Sequence, residues 1–114
     1  MMTPEQGAFR ALADPTRREI LKHLSTTDMT IAEVSDHFEV TRGAIKKHLV
    51  ILEEGNLISI HSRGRERINS LRPEGLRAAT DWLKYFDRFW DEKLAGLAGA
   101  IENNTQNLKD TDNE

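Results

Sequence analysis

Arg42, Lys46, Lys47, Arg63, Arg65, Arg67 and Arg72 crowd between residues 41 and 72, opposed there only by Glu53, Glu54 and Glu66. Guanidinium and ammonium groups at that density do the chemistry of anion pairing, and a polyanion is the partner that rewards a continuous patch of them. The flanks are reversed: residues 1–40 hold 4 basic against 7 acidic side chains and residues 73–114 hold 5 against 9, so the overall charge of -3 conceals a local positive segment. Acidic flanks orient such a patch and limit indiscriminate sticking. Charge alone reads equally well as a solvated face, so the elements that carry these residues must decide.

Other chemistries find little support. Without cysteine there is no disulfide, thiol nucleophile or thiolate metal site. His23, His37, His48 and His61 match no standard ligand spacing and read as structural or surface residues. No paired carboxylates, activated serine or phosphate-cradling glycine loop is recognisable, so neither an enzyme nor a cofactor is expected. The 114 residues suit one core and one task, and no apolar run nears the length of a membrane span. Met1 to Glu5 carries neither a basic region nor an apolar stretch, so a cytoplasmic location is expected.

The positive segment is preceded by helix signals. A first helix is expected from about Pro4 to Ala13, offering Phe9, Leu12 and Ala13 to a core. Asp14-Pro15 is an N-cap followed by proline at the first helical position, and Ile20, Leu21 and Leu24 make one stripe on the helix it opens. Arg17 and Arg18 read as salt-bridging or capping residues. After a polar break at residues 25–28, Thr30-Ile31-Ala32-Glu33 is a capping box, and Ile31, Val34 and Phe38 face inward from a helix lasting to about Phe38. A turn through Glu39-Val40 meets Thr41, the N-cap of a fourth helix to about Glu54, and the pair forms a helix-turn-helix.

On that fourth helix Ile45, His48, Leu49 and Leu52 share an inward arc, while Gly43, Lys46, Lys47, Val50 and Glu54 point away. Gly55-Asn56 supplies a left-handed end. Alternating apolar positions at residues 57–62 and 66–71 flank Arg63-Gly64-Arg65 and predict a β-hairpin with a basic tip. A helix that enters a major groove with its first two turns, beside a hairpin whose arginines grip adjacent backbone, meets the needs of duplex reading. The candidate DNA contacts are Thr41, Arg42, Gly43, Lys46, Lys47, Arg63 and Arg65, with Gly43 allowing close approach to a phosphate backbone. Val50 and Ile51 stay open between touching a thymine methyl and packing under the hairpin.

Asp14-Pro15-Thr16-Arg17-Arg18 followed by Ile20-Leu21, with Lys47-His48-Leu49, Leu52 and Leu57-Ile58, resembles the ArsR-type (arsenic-repressor-like) winged helix-turn-helix regulators over roughly residues 5–72. The resemblance implies a dimeric repressor whose fourth helix reads an inverted repeat and whose terminal helices form the dimer interface. Metal sensing of the kinds found in that family is not expected, because cysteine is absent and no histidine follows His61. Asn56 stands where the family has glycine, and Lys46 where a small polar residue is commoner.

From Pro73 to about Asn103 one long helical pattern carries most of the aromatics. Phe9, Leu83, Phe86, Trp90, Leu94 and Leu97 are the candidate dimer contacts. The fold expected is therefore mainly α with a small β-hairpin, a winged helix-turn-helix with a long C-terminal dimerisation helix spanning residues 1–103, then a disordered polar tail over 104–114. The function expected is sequence-specific duplex DNA binding by a homodimer, with no membrane association. Alternatives are a winged-helix protein-interaction module and a repressor whose apolar effector, of unknown identity, enters between the last helices.

Overall fold

A computed structural model describes residues 2–103, so the tail expected over 104–114 lies outside the described residues. The elements are α1 (Pro4–Leu12), α2 (Pro15–Leu24), β1 (Met29–Thr30), α3 (Ile31–Ser35), α4 (Arg42–Glu54), β2 (Ile58–Arg63), β3 (Glu66–Leu71), α5 (Pro73–Lys84) and α6 (Asp87–Asn103). They fall into two compact units divided between Trp82 and Leu83.

In the first unit each of the four early helices starts on a side-chain cap. Thr3 and Thr30 make full capping boxes with Gln6 and Glu33, and Thr41 Oγ1 accepts from the Ala44 N–H at 3.1 Å. Asp14 Oδ2 accepts from the Arg17 N–H at 3.1 Å, with Pro15 in the first turn where a missing N–H costs nothing. The core gathers Ala8 and Ala11 of α1, Ile20, Leu21 and Leu24 of α2, Val34 of α3, and Ile45, Leu49 and Leu52 of α4 around Leu57 and Ile58. From α1 the small residues go inward. Phe9 and Leu12 are only partly buried, and Ala13 is exposed, contrary to its expected core place.

Ala13 is the C-cap beyond the last helical residue, and the small residues go inward because α1 lies close to α4. A Cβ on Gly55 would lie 2.6 Å from the Gly7 carbonyl oxygen, so the two helices touch backbone to backbone and leave no room for large side chains. Asn56, with φ 64, provides the left-handed residue that turns the chain from α4 into β2.

The hairpin expected after α4 is present and gains a third strand. Central β3 pairs antiparallel with β2 on one side and with β1 on the other, Met29 opposite Asn69 and Thr30 opposite Ile68. Asn69 is buried, and its Nδ2 donates to the Met29 carbonyl at 3.1 Å, tying β1 to the sheet. α3 ends at Ser35, earlier than expected, and the chain tightens through His37 N–H to Val34 O and Phe38 N–H to Ser35 O before reaching Thr41.

The helical pattern after Pro73 divides in two. Between α5 and α6 the bonding tightens, the Phe86 N–H donating to Leu83 O at 3.0 Å, and Asp87 opens α6 where an acidic residue favours the helix dipole. Neither proline nor glycine marks the break. The long C-terminal helix is α6, and its side chains from Asp87 to Gly99 are exposed. Among the described residues no helix is long and apolar enough to cross a membrane.

Candidate nucleic-acid interface

What distinguishes the basic residues of α4 from those before it is what their charges already touch. Arg17 is spent inside the protein: Nε donates to Ala11 O at 2.8 Å, Nη2 to Arg10 O at 3.0 Å, and Nη1 lies 3.3 Å from His48 Nδ1. Arg18 Nη1 donates to Leu12 O at 2.7 Å. These two guanidinium groups satisfy the last carbonyls of α1, and through His48 that of Arg17 also ties α4 to them. His48 also stands 3.9 Å from Asp14 Oδ2. Partial burial acts to raise the Asp14 pKa, but the Arg17 N–H, the His48 imidazole and the Arg17 guanidinium outweigh it and hold the carboxyl below its ordinary value.

Arg42, Lys46 and Lys47 behave differently. All three are exposed, and among the described residues they enter no hydrogen bond or ion pair. They occupy the first two turns of α4, where the early N–H groups and the dipole add positive potential. Lys46 lies on the crest. Arg42 lines the side toward the sheet with Leu49 and Glu53, while Lys47 lines the side toward α1 with Ile51 and Glu54. Thr41 spends a lone pair on its cap but keeps its hydroxyl proton for an outside acceptor.

Gly43 sits between them with open space around it: a Cβ there would find only Thr41 Oγ1, at 4.0 Å. Among the described residues no packing contact requires glycine at this helical position. Val50 is exposed on the crest, whereas Ile51 packs against the core.

The hairpin separates its arginines by strand alternation. Ser62 pairs with Arg67 and Ile60 with Asn69, so these share the sheet face that looks toward α4; Arg63 pairs with Glu66 on the opposite face. There Arg63 shares a surface with Asp28, Glu33 and Glu66. The Thr30 backbone N–H foremost, then its hydroxyl, holds the Glu33 carboxyl below its ordinary pKa, and the Arg63 charge adds to this. Arg65 stands at the exposed tip beside Gly64, whose φ of 63 makes the turn. Arg67 is therefore the hairpin arginine brought to α4. Sequence reading counted it in the positive segment without placing it at the site, although period-two counting back from Asn69 and Ile60 would have done so.

The remaining candidates fall in two places. Phe9 is half-buried in the first unit, edge-to-face with Trp82 at 5.5 Å. Leu83, Phe86, Trp90, Leu94 and Leu97 belong to the second unit and are exposed, Trp90 and Leu94 each at 60%. Within α6, Trp90, Leu94 and Leu97 follow spacings of four and three and so share one face. Of the histidines, His23 and His37 stack at 4.0 Å; among the described residues no group of three or more ligating side chains could hold a metal.

Comparison with known proteins agrees with this architecture. The sequence profile described as bacterial regulatory protein, arsR family, matches residues 14–59, from the Asp14 cap through α4 into β2. The chain is similar to the transcriptional repressor SdpR of Bacillus subtilis (strain 168), 36% identical over 88 residues that make up 77% of this chain and 98% of SdpR. It is also 36% identical over 95 residues to the HTH-type transcriptional regulator Rv2034 of Mycobacterium tuberculosis, covering 83% of this chain and 86% of that protein. Among solved structures, the crystal structure of an ArsR family transcriptional regulator superposes with a TM-score of 0.71 at 34% identity, covering 78% of this chain and 98% of the other.

Proposed function

This chain belongs to the ArsR family of bacterial transcriptional regulators, not to a class of enzymes, and from that premise we propose that it is a cytoplasmic repressor binding an inverted-repeat operator as a homodimer. The observation that carries the proposal is the contrast in use of charge: among the described residues Arg42, Lys46, Lys47, Arg65 and Arg67 have no hydrogen-bond or ion-pair partner, and the first three lie in the first two turns of α4. Cations released from internal duty are what phosphate contact requires, and groups in the first two turns of α4 reach base edges in a major groove.

Thr41, Arg42, Gly43, Lys46 and Lys47 then form the groove-reading end, Arg65 and Arg67 hold backbone from the wing, and Arg63 takes the far side of that wing. The exposed apolar side chains of the second unit, Leu83, Phe86, Trp90, Leu94 and Leu97, supply the dimer contact together with Phe9. Repression rather than activation is favoured by the similarity to SdpR, which is named a transcriptional repressor.

Selection of duplexes from a random pool at two salt concentrations tests the proposal. Enrichment of an inverted repeat with half-sites about one helical turn apart is the expected result. Salt-sensitive retention without sequence preference removes the operator, and no retention at low salt replaces DNA by a protein partner.

A further inference from the structure

Between α4 and the sheet lies a groove of about 540 Å³, within the size range of small-ligand sites. Its walls are the outward side of α4 and the sheet face of Ile60 and Arg67, and Ile31 and Leu49 lie at its floor. Phosphates account for the cations here but give no reason for an aliphatic floor. The charges are also ordered: Arg42 and Lys46 lie in the first turns of α4 and Glu53 in its last, with apolar Leu49 and Val50 between. At the rise of an α-helix, the seven steps from Lys46 to Glu53 span on the order of 10 Å.

We infer that this groove binds a small amphipathic monoanion, a carboxylate with a single apolar tail, and that it does so in place of DNA. The carboxylate pairs with Arg42, Lys46 and Arg67, none of which has an ion-pair partner among the described residues. The tail covers Ile31, Leu49 and Ile60, which removes apolar surface from water. Glu53 at the other end rejects a second negative charge. Ligand and phosphate need the same cations, so they exclude one another by direct competition, with no change of shape required. This last step rests on α4 being the DNA-binding helix; the ligand site itself does not.

The test is a titration of methyl-labelled full-length protein with decanoate, kept below micelle-forming concentrations, followed by NMR. Saturable shifts at the Ile31 and Ile60 methyls are expected, with decanedioate at least tenfold weaker, Arg67→Ala weakening decanoate at least fivefold, and Glu53→Gln narrowing the gap between the two acids. No saturable shift, equal binding of both acids, or shifts confined to the methyls of Leu94 and Leu97 overturns the site. Fluorescence anisotropy of a selected duplex then reads competition: decanoate should displace it from the wild type, and failure to displace while the methyls saturate overturns the competition. If no duplex binds at all, the methyl titration still decides the ligand site, so the two readings fail separately.

Discussion

Arg17 and Lys47 stand on neighbouring helices of one small domain, yet their charges are used in opposite ways. The guanidinium of Arg17 is committed to two carbonyls of α1 and to His48, while the ammonium of Lys47 meets nothing among the described residues. The first holds α4 in place; the second is presented by it. A protein that positions one basic helix with another set of basic residues separates stability from affinity residue by residue, and substitution can test that separation.

The largest effect should come from Arg42→Ala, Lys46→Ala and Lys47→Ala combined. Each lost phosphate contact lowers the slope of log affinity against log salt by about one, and each lost base contact costs about 1–3 kcal/mol, so affinity should fall on the order of 100-fold or more. Thermal stability should stay within about 0.5 kcal/mol per site, as for other exposed positions without partners. Anisotropy titrations at three salt concentrations beside a melting curve read both. A large loss of stability would show that these residues belong with Arg17.

Arg17→Ala should do the reverse. Three hydrogen bonds at about 1 kcal/mol each, with α1 carbonyls left unpaired, put the loss at roughly 2–3 kcal/mol. Arg17→Lys should recover little, because an ammonium cannot span both carbonyls and His48 as the planar fork does. Asp14 belongs to the same assembly. Its folded pKa is depressed, so the stability it contributes is present above the ordinary value of 3.8 and is lost as pH falls through the folded value. Denaturation of Asp14→Asn across that acidic range should therefore be flatter than that of the wild type.

The hairpin sharpens the comparison at a smaller scale. Arg67→Ala should weaken operator binding by roughly 1 kcal/mol, and Arg63→Ala by less, because Arg63 shares its face with Asp28, Glu33 and Glu66. Equal losses would mean that both sheet faces reach the duplex.

Sequence made most of this legible where a local rule governed. Asp14-Pro15, Thr30 with Glu33, and Thr41 announce helix starts by chemistry that acts over three residues, and the apolar stripe of Ile20, Leu21 and Leu24 needs only helical spacing. What stayed hidden depended on partners distant in the chain. β1 is two residues long and exists because β3 pairs with it across a buried Asn69, so no periodicity betrays it. Ala13 lies outside the core because α1 ends at Leu12 and leaves it as the C-cap, while the inward place of Ala8 and Ala11 reflects the close approach of Gly7 and Gly55, a fact of tertiary contact. The division of α5 from α6 carries no proline or glycine. The commitment of Arg17 and Arg18 to α1 left two readings open in sequence, and hydrogen-bond geometry chose capping.

Gly43 gives the smallest effect and the cleanest separation of the two roles. The residue lies in the first turn of a helix, its missing Cβ would meet open space, and its φ is not in the left-handed region. Alanine there should raise stability by up to about 1 kcal/mol through helix propensity and a less flexible unfolded chain. If the backbone of this turn approaches a phosphate, the same methyl group must weaken operator binding, so Gly43→Ala should increase Tm while lowering affinity a few-fold. Opposite signs from one methyl cannot come from damage to the fold. A variant both more stable and equally tight would place the phosphate elsewhere, and would leave Arg42, Lys46 and Lys47 to reach the duplex over a longer distance.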